Sequence, residues 1–147
     1  MASDIDARAY TSRIPFANHL GFEMVRFGGG ASELHYTAKP EHLNTFDVTH
    51  GGACMTLLDV AMASAARSDV PESGVVTIEM KTSFMRPGLG RLRAVGRRLH
   101  RTASFAFCEA SLVDSEGLLL AHATGTFKFL KGLPAGGKRI QRPDASD

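Results

Sequence analysis

The sequence lacks the features that mark several classes of protein. No stretch approaches the roughly 18 consecutive apolar residues of a membrane-spanning helix. Residues 1–10 carry acids and no apolar run, so we expect neither a signal peptide nor a membrane partner. A net charge of +2 at pH 7 is too small to indicate a nucleic-acid partner. With 147 residues and no internal repeat, the chain is expected to be a single cytoplasmic domain.

Cysteine is scarce, and its placement excludes a metal-binding motif. Cys54 and Cys108 lie in apolar segments without metal-ligand spacing, so both are expected to be small buried hydrophobes. Nothing requires an oxidising compartment. His42, Asp47 and His50 precede the longest helical pattern, but their spacing matches no zinc motif. The sequence therefore predicts no metal and no cofactor.

One stretch, residues 50–67, has the pattern of a long helix. Its apolar residues recur every three or four positions, and its other faces are small or apolar, which predicts a helix buried nearly all round. Asp59 lies in the middle, with no lysine or arginine three or four residues away. A buried carboxylate without a cation acquires a raised pKa or a polar partner from elsewhere. From the helix alone, a catalytic acid and a structural acid satisfied by backbone groups are equal alternatives.

Two glycines, Gly51 and Gly52, open this helix. Glycine permits a ligand to approach the backbone closely, and the free N–H groups of a first helical turn attract a negative or polarised oxygen. The eight residues from Gly51 to Asp59 rise by roughly 12 Å, so one substrate atom cannot touch both. If the two cooperate, the second must come from another copy of the helix. The spacing therefore predicts a homodimer.

The remaining segments predict an α+β fold, in which a curled antiparallel sheet wraps around the one long helix. A short helical turn is expected within residues 12–20, and strands at 22–27, 31–38, 75–85, 91–99, 104–113 and 118–130. Gly28–Gly30 indicates a hairpin turn rather than a phosphate loop. The expected domain is 1–131, with an ordered core of about 20–130 and a disordered tail at 132–147.

Residues 75–85 alternate regularly between apolar and polar side chains. The alternation predicts Ile78 and Met80 on one face of the strand and Thr77 on the other.

Several of these residues together resemble one protein family. Asn44, His50–Gly52, Asp59 and the segment 77–87 resemble the hot-dog-fold acyl-CoA thioesterases, especially the phenylacetate-degradation (PaaI-like) and acyl-CoA thioesterase 13-like branch. The resemblance runs over about 20–129. It implies the same helix-in-sheet fold, a dimer with the two sheets edge to edge and active sites at the interface, and a tetramer formed from two dimers.

The resemblance also implies roles for five residues. Asp59 matches the catalytic carboxylate, which acts as a general base on water or as the nucleophile. Gly51 matches the glycine whose N–H polarises the thioester carbonyl. Asn44 matches the loop residue that helps to position the water or the carbonyl. Thr77 matches a Ser/Thr that supports the water near Asp59 and is contributed together with Asp59 across the interface. His50 belongs to the same motif with a less defined role.

The substrate of such an enzyme is the CoA thioester itself. Six arginines between positions 86 and 101 form the densest positive run, and some of them are expected to bind CoA phosphates; a solvated strand face explains each one equally well. Relatives often carry Gly-Arg or Gly-Lys near residue 102, where this chain has Arg-Thr-Ala-Ser. The predicted substrate-binding residues are Gly52, Phe84, Arg86, Pro87, Arg101 and Ser104. The candidate walls of the acyl pocket are Phe16, Phe22, Met62, Phe84 and Met85.

Two alternatives stay open. A hydratase or dehydratase of acyl thioesters is disfavoured, because those enzymes carry His-Phe-Pro-Gly before the helix and residues 46–50 here differ. A non-catalytic acyl-CoA-binding module is disfavoured by the intact Asp59. Aromatic and medium-chain acyl groups both remain possible substrates.

Overall fold

The computed structural model describes residues 13–70 and 72–131. Its elements, in chain order, are α1 (Pro15–Leu20), β1 (Glu23–Gly28), β2 (Ala31–Thr37), a 3₁₀ turn (Pro40–His42), α2 (Gly51–Arg67), β3 (Gly74–Phe84), β4 (Arg91–Arg101), β5 (Phe105–Val113) and β6 (Leu119–Leu130). The predicted long helix, the hairpin turn at Gly28–Gly30 and the six strands along the chain are confirmed.

The six strands form one antiparallel sheet in the order β1-β2-β4-β5-β6-β3. The sheet curls around α2, which packs against all six strands. The predicted α+β architecture is therefore confirmed. The last strand in this order, β3, pairs with β6 on one side and leaves its other edge without a partner strand among the described residues.

The packing of α2 against the sheet forms the core. Leu57, Leu58 and Met62 are fully buried there, and full burial of such a side chain contributes about 1.5–3 kcal/mol. The helix approaches β4 closely at Gly96, where a Cβ atom would overlap the carbonyl oxygen of Ala61. Both cysteines are free and buried, as the sequence predicts.

The prediction that α2 is buried nearly all round is wrong for one stripe. Gly52 and Met55 are exposed, and Thr56 and Asp59 are only partly buried. These four residues follow the three- and four-residue spacing of one helix face. The stripe lies beside β3, where the sheet ends and no further strand of the described chain covers the helix.

A β-bulge interrupts the alternation of β3. Thr77 and Glu79 pair with adjacent residues of β6, so the intervening Ile78 has no partner and its side chain is 53% exposed. The prediction that Ile78 and Met80 share a face is therefore wrong. The extra residue resets the alternation, so that Thr77 and Met80 both face α2.

The structure also revises where the core begins. Ala17 and Leu20 of α1 are buried, so ordered packing starts before residue 20. The tail predicted at 132–147 lies outside the described residues, as do residues 1–12. Among the residues that the structure describes, no helix is both long and apolar enough to cross a membrane.

Candidate active site

The exposed stripe of α2 and the inner face of β3 form a cleft of about 350 Å³. It is lined by Gly52, Met55, Thr56, Asp59, Thr77 and Met80. Inside it, the Thr77 hydroxyl donates a hydrogen bond of 2.7 Å to Oδ1 of Asp59. The polar partner that the sequence requires for Asp59 is thus a hydroxyl from a strand 18 residues away.

No cation of the described chain balances the charge on Asp59. Within the described residues, no lysine, arginine or histidine forms an ion pair with this carboxylate. Burial raises the pKa of Asp59 above its ordinary value, and the hydrogen bond from Thr77 opposes the shift only in part. A carboxylate with a raised pKa is a stronger base than an ordinary exposed one.

The start of α2 presents one unpaired backbone donor. His50 caps the helix, because its Nδ1 accepts a hydrogen bond of 2.8 Å from the Gly52 N–H. The N–H groups of Ala53 and Cys54 donate to the His50 carbonyl oxygen at 3.0 and 3.2 Å. The Gly51 N–H makes no hydrogen bond within the described part of the chain. Among the first four N–H groups of α2, only that of Gly51, which is predicted to polarise the thioester carbonyl, has no partner in the described chain.

The Gly51 backbone lies against Phe84 at the far end of β3. A Cβ atom on Gly51 would lie 3.5 Å from the Phe84 ring, and this ring is 52% exposed. Just beyond, Arg86 donates to the Leu119 carbonyl oxygen at 2.7 Å, and Pro87 is exposed. Gly51, Phe84, Arg86 and Pro87 thus share one end of the molecule.

Asn44 organises the loop that precedes α2. Its Oδ1 accepts hydrogen bonds from the N–H groups of Phe46 and Val48, at 2.9 and 3.4 Å. This arrangement is an Asx turn, which closes the loop around Asp47, a residue in the left-handed region at φ 57°. The side-chain oxygen is thereby occupied, while the Nδ2 group makes no hydrogen bond among the described residues and is available to a ligand.

Most of the arginine run is engaged in ion pairs. Arg97 pairs with Glu109 at 2.6 Å, and Arg98 pairs with Asp69 at the end of α2. Arg91 and Arg93 contact Glu23 and Glu33 on β1 and β2. Within the described chain, Arg86 and Arg101 are the two members of the run without a carboxylate partner.

A second cleft, of about 410 Å³, lies where β3 begins and β6 ends. It is lined by Ser73, Ala103, Ser104, Lys128, Phe129, Leu130 and Lys131. Arg101 stacks over the Phe129 ring, with its guanidinium carbon 4.5 Å from the ring centroid. The sequence predicts Arg101 and Ser104 as binding residues but not Lys128 and Lys131, because these two lysines lie outside the arginine run. The pairing of β6 with β3 and β5 brings these lysines to the same cleft.

The structure separates the predicted site residues into two groups. Asp59 and Thr77 touch each other near the start of β3, whereas Gly51 and Phe84 lie at its other end. Gly51 does not line the Asp59 cleft.

Two of the five candidate pocket walls belong to the core instead. Phe22 and Met62 are buried, and both belong to the main hydrophobic cluster. Phe16, Phe84 and Met85 are exposed. Of the six residues that line the Asp59 cleft, Gly52, Asp59 and Thr77 were predicted from the sequence. Met55, Thr56 and Met80 were not, since their position depends on where the sheet ends.

A family profile described as "Thioesterase superfamily" matches residues 46–121, more than half of the chain. The chain belongs to the thioesterase superfamily. The matched span includes the helix start at Gly51, the carboxylate of Asp59 and the hydroxyl of Thr77. It also includes β4 and β5, which pack against α2.

Solved structures show that this thioesterase-superfamily chain has the hot-dog fold. The conserved protein PA5202 of Pseudomonas aeruginosa is 31% identical over 78% of this chain and 93% of its own, with a TM-score of 0.73. A variant of the phenylacetic acid degradation protein PaaI of Thermus thermophilus is 29% identical over 79% and 99%, with a TM-score of 0.72. Thioesterase HI1161 of Haemophilus influenzae shares the fold at a TM-score of 0.81 and 17% identity, covering 92% and 97%.

A curated relative from Caenorhabditis elegans, provisionally named an esterase, is 31% identical over 98 residues. The match covers 64% of this superfamily member and 57% of the relative. The chain thus spans less than two thirds of that relative's length, and the same holds for a second curated relative from Halobacterium salinarum, of which 60% is covered.

Proposed function

We propose that this chain hydrolyses an acyl-CoA thioester to the free acid and CoA. The observation that carries the proposal is the Asp59–Thr77 pair, a carboxylate with a raised pKa and no cation, placed in an accessible cleft of the described chain. Membership of the thioesterase superfamily supports the reaction type.

In the proposed reaction, Asp59 acts on the attacking water. The Thr77 hydroxyl occupies Oδ1 and fixes the plane of the carboxylate, so Oδ2 is the oxygen free to accept a proton from water. The hydroxide adds to the thioester carbon, and the carbonyl oxygen becomes an oxyanion. Collapse of this intermediate breaks the C–S bond, and the proton that Asp59 accepted passes to the sulfur, so that the CoA thiol leaves and the carboxylate is regenerated. Direct attack by the carboxylate, through an anhydride, is the other route that the same geometry allows.

The oxyanion donor in this scheme is the free N–H of Gly51 from a second copy of the chain. Within one chain the helical rise separates Gly51 from Asp59 by roughly 12 Å, so the two cannot act on the same carbonyl. The unpaired edge of β3 adjoins both groups, because Thr77 and Phe84 lie on this strand. Antiparallel pairing of two β3 edges would bring Gly51 of each copy towards Asp59 of the other. The proposed enzyme is therefore a homodimer with two shared sites, and a tetramer forms from two such dimers.

The two clefts suggest where the ends of the substrate lie. Lys128 and Lys131 line the 410 Å³ cleft, and Arg101 stacks over Phe129, which also lines it. These three side chains offer positive charge to the CoA phosphates, with Ser104 as a hydrogen-bonding neighbour. Met55 and Met80 supply apolar, adaptable walls beside Asp59, which suit an uncharged acyl group.

The test is release of CoA thiol from a panel of aromatic and aliphatic acyl-CoAs, with Asp59→Asn measured in parallel. We expect native turnover of at least one member and a fall in kcat of about 10²–10⁴-fold in the variant, the usual contribution of a general base. Circular dichroism and thermal unfolding check that the variant is folded. An unchanged kcat would contradict the assignment of Asp59. Binding of acyl-CoA by the native protein without any hydrolysis would replace the enzyme with an acyl-CoA-binding module.

A further inference from the structure

A buried tyrosine and a buried histidine join the sheet to the loop that precedes α2. The Tyr36 hydroxyl lies 2.7 Å from Nδ1 of His42, and the two rings stack with centroids 5.8 Å apart. Tyr36 is 1% exposed and His42 is 9% exposed. Neither residue lines a described cleft, so neither is placed to touch substrate.

The direction of this hydrogen bond follows from a second one. The backbone N–H of Lys39 also points at His42 Nδ1, at 3.2 Å. A backbone N–H can only donate, so Nδ1 carries no proton and the Tyr36 hydroxyl must donate to it as well. Burial raises the pKa of Tyr36 to about 12, which keeps the proton on the hydroxyl.

His42 is also the point where both ends of the Asn44 loop meet. Its carbonyl oxygen accepts a hydrogen bond from the His50 N–H at 2.9 Å. Leu43, the residue that follows it in the loop, forms an isolated β-bridge with Thr49. The loop that carries Asn44 is thus closed at its base by the residue that Tyr36 holds.

The same contacts continue to the free amide. His50 is fixed by His42 through its N–H, and it binds the first turn of α2 through its carbonyl oxygen and its Nδ1. The peptide groups on both sides of the Gly51 N–H are therefore held in place, while this N–H itself stays open within the described chain. The series of hydrogen bonds runs from Tyr36 on the sheet to the amide that faces the proposed oxyanion.

We propose that Tyr36 and His42 are positioning residues, which hold the Gly51 N–H and the Asn44 side chain where the thioester carbonyl is polarised. This inference rests on the proposed function and adds residues that do not contact the substrate. A displacement of about 1 Å at a reacting centre lowers turnover by as much as about 100-fold, so a hydrogen bond that fixes a donor matters more to kcat than to folding.

The sharpest variant is Tyr36→Phe, which removes one oxygen and keeps the ring that packs edge-on against Phe22 at 5.0 Å. We expect kcat to fall about tenfold with KM changed less than about twofold, since the donor moves but the CoA contacts do not. The fall in kcat at acid pH, which reports protonation of Asp59, should keep its position on the pH axis. Asp59 lies in the other half of the proposed site and is not touched by this change.

His42 supplies the rescue experiment. His42→Leu should lower kcat at least as far as Tyr36→Phe, whereas His42→Asn, which places an acceptor oxygen near the Nδ1 position, should recover most of the loss. The two losses should not add in the double variant Tyr36→Phe/His42→Leu, since both remove the same contact.

Ser68→Ala is the matched control for loss of a buried hydroxyl. The Ser68 hydroxyl accepts the Gly30 N–H at 2.7 Å and donates to the Ala65 carbonyl oxygen, at the opposite end of α2. This variant should lower the unfolding temperature and leave kcat within about twofold, because the first turn of α2 is untouched.

Amide hydrogen exchange tests the positioning without turnover. In Tyr36→Phe, the amides of His50 and Gly52 should exchange faster, while those at the end of α2 stay unchanged. Faster exchange together with reduced kcat supports the proposal; unchanged exchange at these amides, or a fall in kcat no larger than that of Ser68→Ala, overturns it. If the native protein hydrolyses no thioester, the proposed function fails on that result, and exchange alone decides whether the pair fixes the helix start.

Discussion

The Thr77 hydroxyl and the Asp59 carboxylate form a hydrogen bond of 2.7 Å between the bulged edge strand and the middle of α2. Asp59 has no other hydrogen-bond partner for its side chain in the described part of the chain. The pair gives the carboxylate a defined orientation and leaves one of its oxygens facing an open cleft. Burying a carboxylate without a cation costs folding free energy. The burial and the missing cation that raise the pKa of Asp59 therefore also lower the stability of the folded chain.

Replacing Asp59 by Asn should therefore stabilise the protein at neutral pH. Burial raises the folded-state pKa of Asp59 above its unfolded value, so the native chain binds the proton more tightly. The free energy of unfolding therefore falls as pH rises from the unfolded to the folded pKa of this carboxyl group. We expect an Asp59→Asn midpoint equal to or above that of the native protein at pH 7, with the difference shrinking towards pH 3. Thermal unfolding between pH 3 and pH 8 measures it. A variant destabilised at pH 7 would show that the ionised carboxylate supports the fold.

Replacing Thr77 by Val should move the activity profile along the pH axis. The hydrogen bond from Thr77 lowers the pKa of Asp59, so its loss raises that pKa further. The acid limb of kcat/KM should shift to higher pH, and kcat at neutral pH should fall about tenfold, the order expected for one hydrogen bond to a charged group.

Thr82→Val is the control for this shift. Thr82 lies on the same strand, and its buried hydroxyl has no hydrogen-bond partner in the described chain. Its loss should leave the limb where it is. If the acid limb also stays in place in Thr77→Val, Thr77 has no influence on the pKa of Asp59 and the prediction is wrong.

Replacing Gly51 by Pro should remove the proposed oxyanion donor without disturbing the helix. Proline is favoured at the first helical position, and His50 already has the extended backbone, ψ 137°, that precedes proline. Loss of one such donor lowers kcat by about 10²–10³-fold. Gly51→Ala keeps the N–H and adds a Cβ atom at ordinary contact distance from Phe84, so it should retain most activity. Equal kcat values for Pro and Ala would show that the Gly51 N–H takes no part.

Two inactive variants should restore activity when mixed. In a dimer of Asp59→Asn with Gly51→Pro, one shared site carries both defects and the other carries neither. Random exchange makes half of the dimers mixed, so a one-to-one mixture refolded together should reach about one quarter of native activity. Thiol release before and after exchange measures the gain. Activity that stays at the sum of the two variants would place Asp59 and Gly51 of the same chain in one site.

Replacing Arg101 by Gln should weaken recognition of the CoA nucleotide alone. KM for acyl-CoA should rise about tenfold, the order of one charge-assisted hydrogen bond to phosphate. KM for the same acyl group on N-acetylcysteamine, which carries no phosphate, should stay the same. Arg97→Gln is the control, since Arg97 already pairs with Glu109. An equal rise with both thioesters would assign Arg101 a structural role.

The sequence predicts the frame of this site well, because the relevant signals are local. The spacing in residues 50–67 predicts α2, and the isolation of Asp59 predicts that a partner must come from elsewhere. Thr77 can be recognised as that partner only when the bulge at Ile78 is known. The bulge is set by pairing with β6 and not by the sequence of β3 itself. The resemblance supplied Thr77; strand alternation alone placed it on the face opposite Met80, whereas the two share a face in the structure.

Long-range pairing explains the other differences. Arg98 and Asp69, 29 residues apart, form an ion pair that no pattern in either segment indicates. The contact of Tyr36 with His42 joins a strand to a loop, and no local pattern in the sequence indicates it. Among the described residues, no cluster of histidine, cysteine, aspartate and glutamate is arranged to hold a metal ion.

The bulge in β3 also makes the site depend on how this strand pairs with β6. Side chains on a regular strand obey a parity rule, in which odd and even positions face opposite sides. Thr77 and Met80 are three positions apart, so a regularly paired strand that kept Ile78 would turn one of these two side chains away from α2; the bulge is what keeps both on the side of the helix. Ile78 does not line the Asp59 cleft, and it matters to the site through the pairing that it interrupts. A change of pairing that removed the bulge would therefore keep every side chain of the cleft in the sequence and still break their arrangement around Asp59.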